Sequence, residues 1–220
     1  MSRAPLSLPG RTVIFDYGEV ISLSQSAADR AVIAGLAGVD AEPFWTAYHA
    51  NRDGLDQGRG GVCAYWRAIA DEVGASWDNA RIHELWAADF RSWLSINPGT
   101  VEVLDDLRAG GTRLALLSNA GPDYGSYFRH GPLGDYFEAC YVSGELNLLK
   151  PHPEIYRYVL DGLGITAAEA VFVDNRESNV RGAEKLGIAG HVFTDPGSLR
   201  TFLTALGGAN LTATNLSGGS

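Results

Sequence analysis

Cysteine, long apolar runs and clustered positive charge are what this chain has least of. Its two cysteines, Cys63 and Cys140, lie far apart without metal-ligand spacing, which suits a reducing compartment and offers no zinc site. Both read as buried small side chains. No apolar stretch approaches the ~18 residues of a spanning helix, and the N-terminus carries no signal-peptide apolar core, so a cytoplasmic protein without a membrane partner is expected. Seventeen Lys and Arg stand against 26 Asp and Glu, a net charge of −9. No basic run breaks that balance, so nucleic acid is not an expected partner. An anionic substrate must then be drawn by a few local cations or a metal. There are no internal repeats.

At 220 residues, with 45% hydrophobic and 20% charged side chains, the chain suits one globular domain carrying a sizeable insertion. The run Arg11-Thr-Val-Ile-Phe15 has the β-branched and aromatic residues of a buried parallel strand, and it delivers Asp16 onto a glycine-containing turn. Residues 23–95 change character. They hold long amphipathic stretches, with Val62, Tyr65, Trp66, Ile69 and Val73 on one helical face, and no convincing strand. Asn51 to Gly61 reads as a breaker-rich loop. From Pro98 onward helices and strands alternate. A helix with Val101, Leu104 and Leu107 as its apolar face is stopped by Gly110-Gly111. Strands are expected at 113–117, 140–142, 170–173 and 190–193, with helices at 154–160 and 179–186. This pattern predicts an α/β fold: a Rossmann-like parallel sheet with helices on both faces and an inserted helical cap. The expected divisions are a core of residues 11–22 and 96–206, a cap of residues 23–95, and flexible termini at 1–10 and 207–220.

Four strand ends carry complementary functional groups, Asp16, then Ser118-Asn119, then Lys150, then Asp174-Asn175, where open α/β sheets place their chemistry. Each group has a plainer reading as a turn former, helix cap or solvated loop residue. Their order makes the joint plain reading hard to sustain. The set Phe15-Asp16-x-Gly18-x-Val20, Leu117-Ser118-Asn119, Leu149-Lys150-Pro151-x-Pro153 and Val173-Asp174-Asn175-x₃-Asn179 resembles the haloacid-dehalogenase-like hydrolase superfamily, in the subfamily with a helical cap after the first motif. The resemblance covers nearly the whole chain, from about residue 11 to 205.

That resemblance implies a hydrolase of small phosphorylated metabolites. Asp16 would attack phosphorus to form an aspartyl-phosphate that water then clears. Mg²⁺ would be held by Asp16, the backbone carbonyl of Gly18, and Asp174. Ser118, with Asn119, would hydrogen-bond the phosphate, and Lys150 would neutralise nucleophile and phosphate together. Arg52, Asp53 and Arg59, on the glycine-rich segment of the cap, are candidates for holding the leaving group, with Arg52 the natural partner of a carboxylate or second phosphate. His152 reads as structural, and His49, His83, His130 and His191 as packed or solvent-facing. A homodimer is left open.

Two positions depart from the family pattern. Gly18 stands where most family phosphatases carry the aspartate that protonates the leaving alcohol, removing an acid/base worth about 10²–10⁴ in rate. Asn175 stands where a second acid is common. Glu19 is the nearest substitute acid. Two alternatives therefore remain beside the phosphatase: a metal-independent 2-haloacid dehalogenase, and a degenerate binding protein without turnover.

Overall fold

The computed structural model describes residues 6–217, with side-chain surroundings as far as residue 208. Five strands, β1 (Thr12–Phe15), β2 (Arg113–Ser118), β3 (Ala139–Val142), β4 (Ala170–Asp174) and β5 (Ala189–Val192), form one parallel sheet in the order β3-β2-β1-β4-β5. The sheet is α/β and Rossmann-like, as expected. Chain order reverses at β1, which pairs with both β2 and β4. Their carboxyl ends therefore open a crevice at the centre of the sheet, the usual place for a ligand.

The insertion after β1 forms five helices, α1 (Ala27–Ala37), α2 (Ala41–Ala50), α3 (Arg52–Asp56), α4 (Gly61–Val73) and α5 (Asn79–Ser92). They are followed by α6 (Pro98–Ala109), α7 (Tyr124–His130), the four-residue α8 (Ser143–Leu146), α9 (Pro153–Leu163), α10 (Glu177–Glu184) and α11 (Pro196–Ser217). The alternation of strand side chains assigns the helices to faces. Val13, Phe15, Leu114, Leu116, Val171 and Val173 pack with Leu104 and Leu107 of α6, Phe128 of α7 and Leu199 and Leu203 of α11. Ile14, Ala115, Leu117 and Phe172 face the other way, onto Ile155, Tyr156 and Val159 of α9 and Ala183 of α10. Each fully buried Ile or Phe contributes about 1.5–3 kcal/mol, so both faces hold the sheet firmly.

The helical insertion has its own core, in which Ile33, Phe44, Tyr48, Trp66, Ile69 and Leu85 are buried together. Its helices begin where side chains can take up free backbone N–H groups: Ser26 accepts from the Asp29 amide on α1, and Asp78 from the Arg81 amide on α5. The two chain passages into and out of the insertion run side by side. Ser22 and Ile96 form an antiparallel bridge, flanked by Leu23 N–H to the Ser95 carbonyl (2.7 Å) and Asn97 N–H to the Ile21 carbonyl (2.9 Å).

Several local expectations are corrected. Residues 6–10 are no loose arm: Leu6 and Leu8 are buried, and the Leu8 amide donates to Thr112 Oγ1 at 3.0 Å. Gly110 admits this strap, since a Cβ there would lie 2.0 Å from the Leu6 carbonyl oxygen. Residues 1–5 of the expected arm lie outside the described residues. The expected flexible tail is helical to Ser217 as part of α11; residues 218–220 are again outside. Residues 52–56 of the supposed loop form α3, because Leu55 and Asp56 find buried partners. On α6 the buried face is Val103, Leu104 and Leu107, with Val101 turned partly outward. Cys63 is exposed and Cys140 half-buried, against the expectation of two buried thiols. Burial pushes the Cys140 thiol up to about 11, so it stays protonated and unreactive at neutral pH.

Candidate active site

Strand geometry brings three distant residues to one point. The Asp16 amide continues the β1–β4 ladder by donating to the Val173 carbonyl at 2.8 Å, which places its side chain at the sheet centre. Lys150 Nζ lies 2.8 Å from Asp16 Oδ1, 2.7 Å from Asp174 Oδ2 and 2.9 Å from the Leu117 carbonyl oxygen, fully buried. All three donors of the ammonium are used. Asn119 fixes the lysine's backbone from both sides, its Nδ2 donating to the Lys150 carbonyl and its Oδ1 accepting from the Lys150 amide, each at 3.0 Å. Asn119, expected to bind substrate, thus serves first to position Lys150.

Asp16 Oδ1 also accepts from the Tyr17 amide at 2.8 Å. Its Oδ2 has no partner among the described residues, while Asp16 lines a cavity of about 540 Å³. One oxygen is therefore clamped and the other presented. Burial pushes the Asp16 carboxyl up to about 6, against the pull of Lys150 and with the help of Asp174. Burial by itself would lower the Lys150 ammonium, but the two carboxylates hold it above its ordinary value. Ser118, at the end of β2, is buried and lines the same cavity. Its hydroxyl has no hydrogen-bond partner among the described residues, so it is available to a ligand.

Asp174 differs from the expectation. It is fully buried and does not line the cavity. Its Oδ2 accepts from Lys150 and from Asn179 Nδ2 (3.0 Å), and its Oδ1 from the Arg176 amide (2.8 Å). So placed, Asp174 holds the Lys150 ammonium from the side opposite the cavity. Glu19 takes the exposed place instead. It adopts a left-handed backbone conformation, φ 58°, which is unusual for a residue with a side chain. Two hydrogen bonds of 2.7 Å hold its carboxylate, from Ser24 Oγ and from Asn175 Nδ2. The missing acid at 175 and the acid at 19 thus form one pair across the mouth of the site.

Among the described residues no three His, Cys, Asp or Glu side chains are grouped to hold a metal. The cavity wall nevertheless offers hard oxygen donors of the kind Mg²⁺ takes: the Asp16 carboxylate, the Gly18 carbonyl, which accepts no hydrogen bond among the described residues, and Glu19 with Asn175. The donor set fits a hard cation that keeps several waters.

Arg52 does line the cavity, but it is committed. Its Nε is 3.0 Å from Asp56 Oδ1 and its Nη1 is 3.2 Å from Asp89 Oδ2. Asp89 also accepts from the Tyr48 hydroxyl (2.6 Å) and Gln25 (3.1 Å). Burial raises the Asp56 carboxyl to about 6 despite Arg52. Of the other candidates on that segment, Asp53 reaches the cavity and Arg59 does not. His152 is an exposed residue at the start of α9. His49, expected to pack or face solvent, is exposed and lines the cavity together with Arg30, Arg176 and Tyr124. None of these four was singled out by the sequence. They carry no motif: Arg30 and His49 are brought in by α1 and α2, Tyr124 by the start of α7 and Arg176 by the start of α10.

A family model described as haloacid dehalogenase-like hydrolase matches residues 11–187. A phosphoserine phosphatase of Thermus thermophilus is 34% identical over 127 residues, 56% of this chain; the chain spans half of that protein's length. A D-ribitol-5-phosphate phosphatase of Bacteroides thetaiotaomicron is 26% identical over 80% of this chain and 88% of its own. An (S)-2-haloacid dehalogenase of a Pseudomonas species is 23% identical over 81% and 82%. Among solved structures, a HAD family enzyme of Bacteroides thetaiotaomicron in complex with magnesium and inorganic phosphate shares the fold. It has a TM-score of 0.68 and 22% identity, covering 84% of this chain and 94% of that one.

Proposed function

The chain belongs to the haloacid dehalogenase-like hydrolase family, and from that premise we propose that it is a Mg²⁺-dependent phosphatase of a small phosphorylated metabolite. The observation that carries this reading is the half-clamped Asp16: Oδ1 held by Lys150 and the Tyr17 amide, Oδ2 without a partner at a cavity shared with the Ser118 hydroxyl. Phosphatases and a magnesium–phosphate complex among the relatives and fold neighbours support it.

Asp16 Oδ2 attacks phosphorus as the P–O bond to the leaving group breaks and that group departs with the bonding electrons; water then hydrolyses the aspartyl-phosphate, releasing inorganic phosphate and restoring Asp16. Ser118 donates to a phosphoryl oxygen, and Lys150 neutralises charge between Asp16 and the incoming phosphate. Asp16, the Gly18 carbonyl and Glu19 would hold Mg²⁺. When bound, the ion offsets the negative charge of the equatorial oxygens. The helical insertion acts as a cap that excludes water from the attack. With Gly18 unable to donate a proton, good leaving groups are favoured.

Turnover of p-nitrophenyl phosphate with Mg²⁺, abolished by a chelator, is the expected result. Chelator-resistant chloride release from 2-chloropropionate, with no phosphatase activity, would replace this reading with the dehalogenase.

A further inference from the structure

Most charges around the cavity are already spoken for. Lys150 is shared by Asp16 and Asp174, Arg52 by Asp56 and Asp89, and Glu19 accepts from Ser24 and Asn175. Arg30 and Arg176 are different: both line the cavity, and neither guanidinium has a carboxylate partner among the described residues. They come from opposite sides. Arg30 is on α1, with its guanidinium 3.9 Å from the Trp45 ring centroid, a cation–π contact that fixes its direction. Arg176 stands at the start of α10, its amide tied to Asp174. His49, on the same cavity wall, feels the charge of both. Burial lowers its pKa, and so do the charges of Arg30, Arg52 and Arg176, with no carboxylate acting on it. A locally positive region in a chain of net charge −9 has a reason to exist if an anion sits there. The cavity's other unpaired charge, Asp53, stands on α3 beside Asp56 and acts on that carboxyl.

We propose that Arg30 and Arg176, with His49 beside them, form a second anion subsite, so that the substrate carries a carboxylate or second phosphate on the group leaving phosphorus. What occupies the Asp16 end rests on the phosphatase reading; the anion subsite stands on its own observations. Because its cations come from the insertion and from the sheet, an anion bound there also draws the two together over the reacting phosphate.

Calorimetry on the full chain with Mg²⁺ tests this without turnover, using phosphonoacetate and methylphosphonate as matched non-hydrolysable probes. Wild type should bind phosphonoacetate at least tenfold tighter, and the preference should fall at least fivefold in the double variant R30Q/R176Q. R30K, which keeps the charge, should retain more of the preference than R30Q. A wild-type preference below tenfold, or a smaller fall in the double variant, overturns the subsite. The matched substrates are glycolate 2-phosphate and ethylene glycol monophosphate, whose kcat/KM ratio should follow the same pattern. If neither is hydrolysed while the binding preference and its loss persist, the phosphatase reading fails and the anion subsite survives.

Discussion

Replacing Asp16 by Asn should stabilise the metal-free protein at neutral pH while destroying its activity. The carboxyl is raised from its ordinary value near 3.8 to about 6, a cost to the folded state of about 3 kcal/mol once ionised. The folded value lies above the unfolded one, so the stability is complete below about pH 3.8 and is lost as pH rises to about 6. The substituted amide cannot ionise, yet its Oδ1 can keep the bonds from Lys150 and the Tyr17 amide that the carboxylate accepts in wild type. The advantage of the variant over wild type should therefore grow by about 2 kcal/mol between pH 4.5 and pH 7.5. Urea unfolding of both proteins in chelator, at the two pH values, measures it. An advantage that does not change with pH, or a variant less stable at pH 7.5, would refute the account of a strained, half-clamped carboxylate. Turnover of the variant should fall by at least about 10³-fold, as for other lost nucleophiles.

Gly18→Asp should fold and raise kcat on an alkyl phosphate by roughly 10–100-fold, by restoring a general acid. The position is not in the left-handed region, and a Cβ would meet only the Trp93 ring at 4.0 Å; an unchanged rate in a folded variant assigns proton transfer elsewhere, Glu19 first. Lys150→Met leaves two carboxylates facing each other without their ammonium, so a loss of about 3–5 kcal/mol is expected by urea unfolding, together with loss of turnover. Asp89→Asn removes the charge shared by Arg52, Tyr48 and Gln25 and should cost about 1–3 kcal/mol, read as a lowered Tm. Calorimetric Mg²⁺ titration should show Glu19→Gln weakening binding more than Asp174→Asn, because only Glu19 faces the cavity; the reverse order would return the ligand role to Asp174.

The sheet was legible because its causes are local. Apolar runs such as Val13-Ile-Phe15 and Val171-Phe-Val173, β-branched and aromatic and bounded by turn residues, favour buried strands, and the polar residue ending each then lies at a carboxyl edge. Asp16 and Ser118 follow from that rule; Lys150, eight residues past the end of β3 and beyond α8, follows only from its order along the chain. The amphipathic face of α4 was equally open to reading, since Tyr65, Trp66 and Ile69 repeat at helical spacing. Where a residue's partner is distant in sequence, the chain by itself was silent or misleading. Nothing in the chain shows that Lys150, Asn179 and the Arg176 amide take the oxygens of Asp174. Asn175 reads as a lost acid until Glu19, 156 positions away, is found holding its amide. Arg52 reads as a substrate cation on a loop until α3 forms and Asp56 and Asp89 claim it. Arg30, His49 and Arg176 have no sequence signal at all, because a cavity shared by two separately folded cores is decided by how those cores pack. Pattern along the chain sets which side chains reach the sheet's edge; tertiary packing alone sets which charges there are neutralised and which remain free to bind.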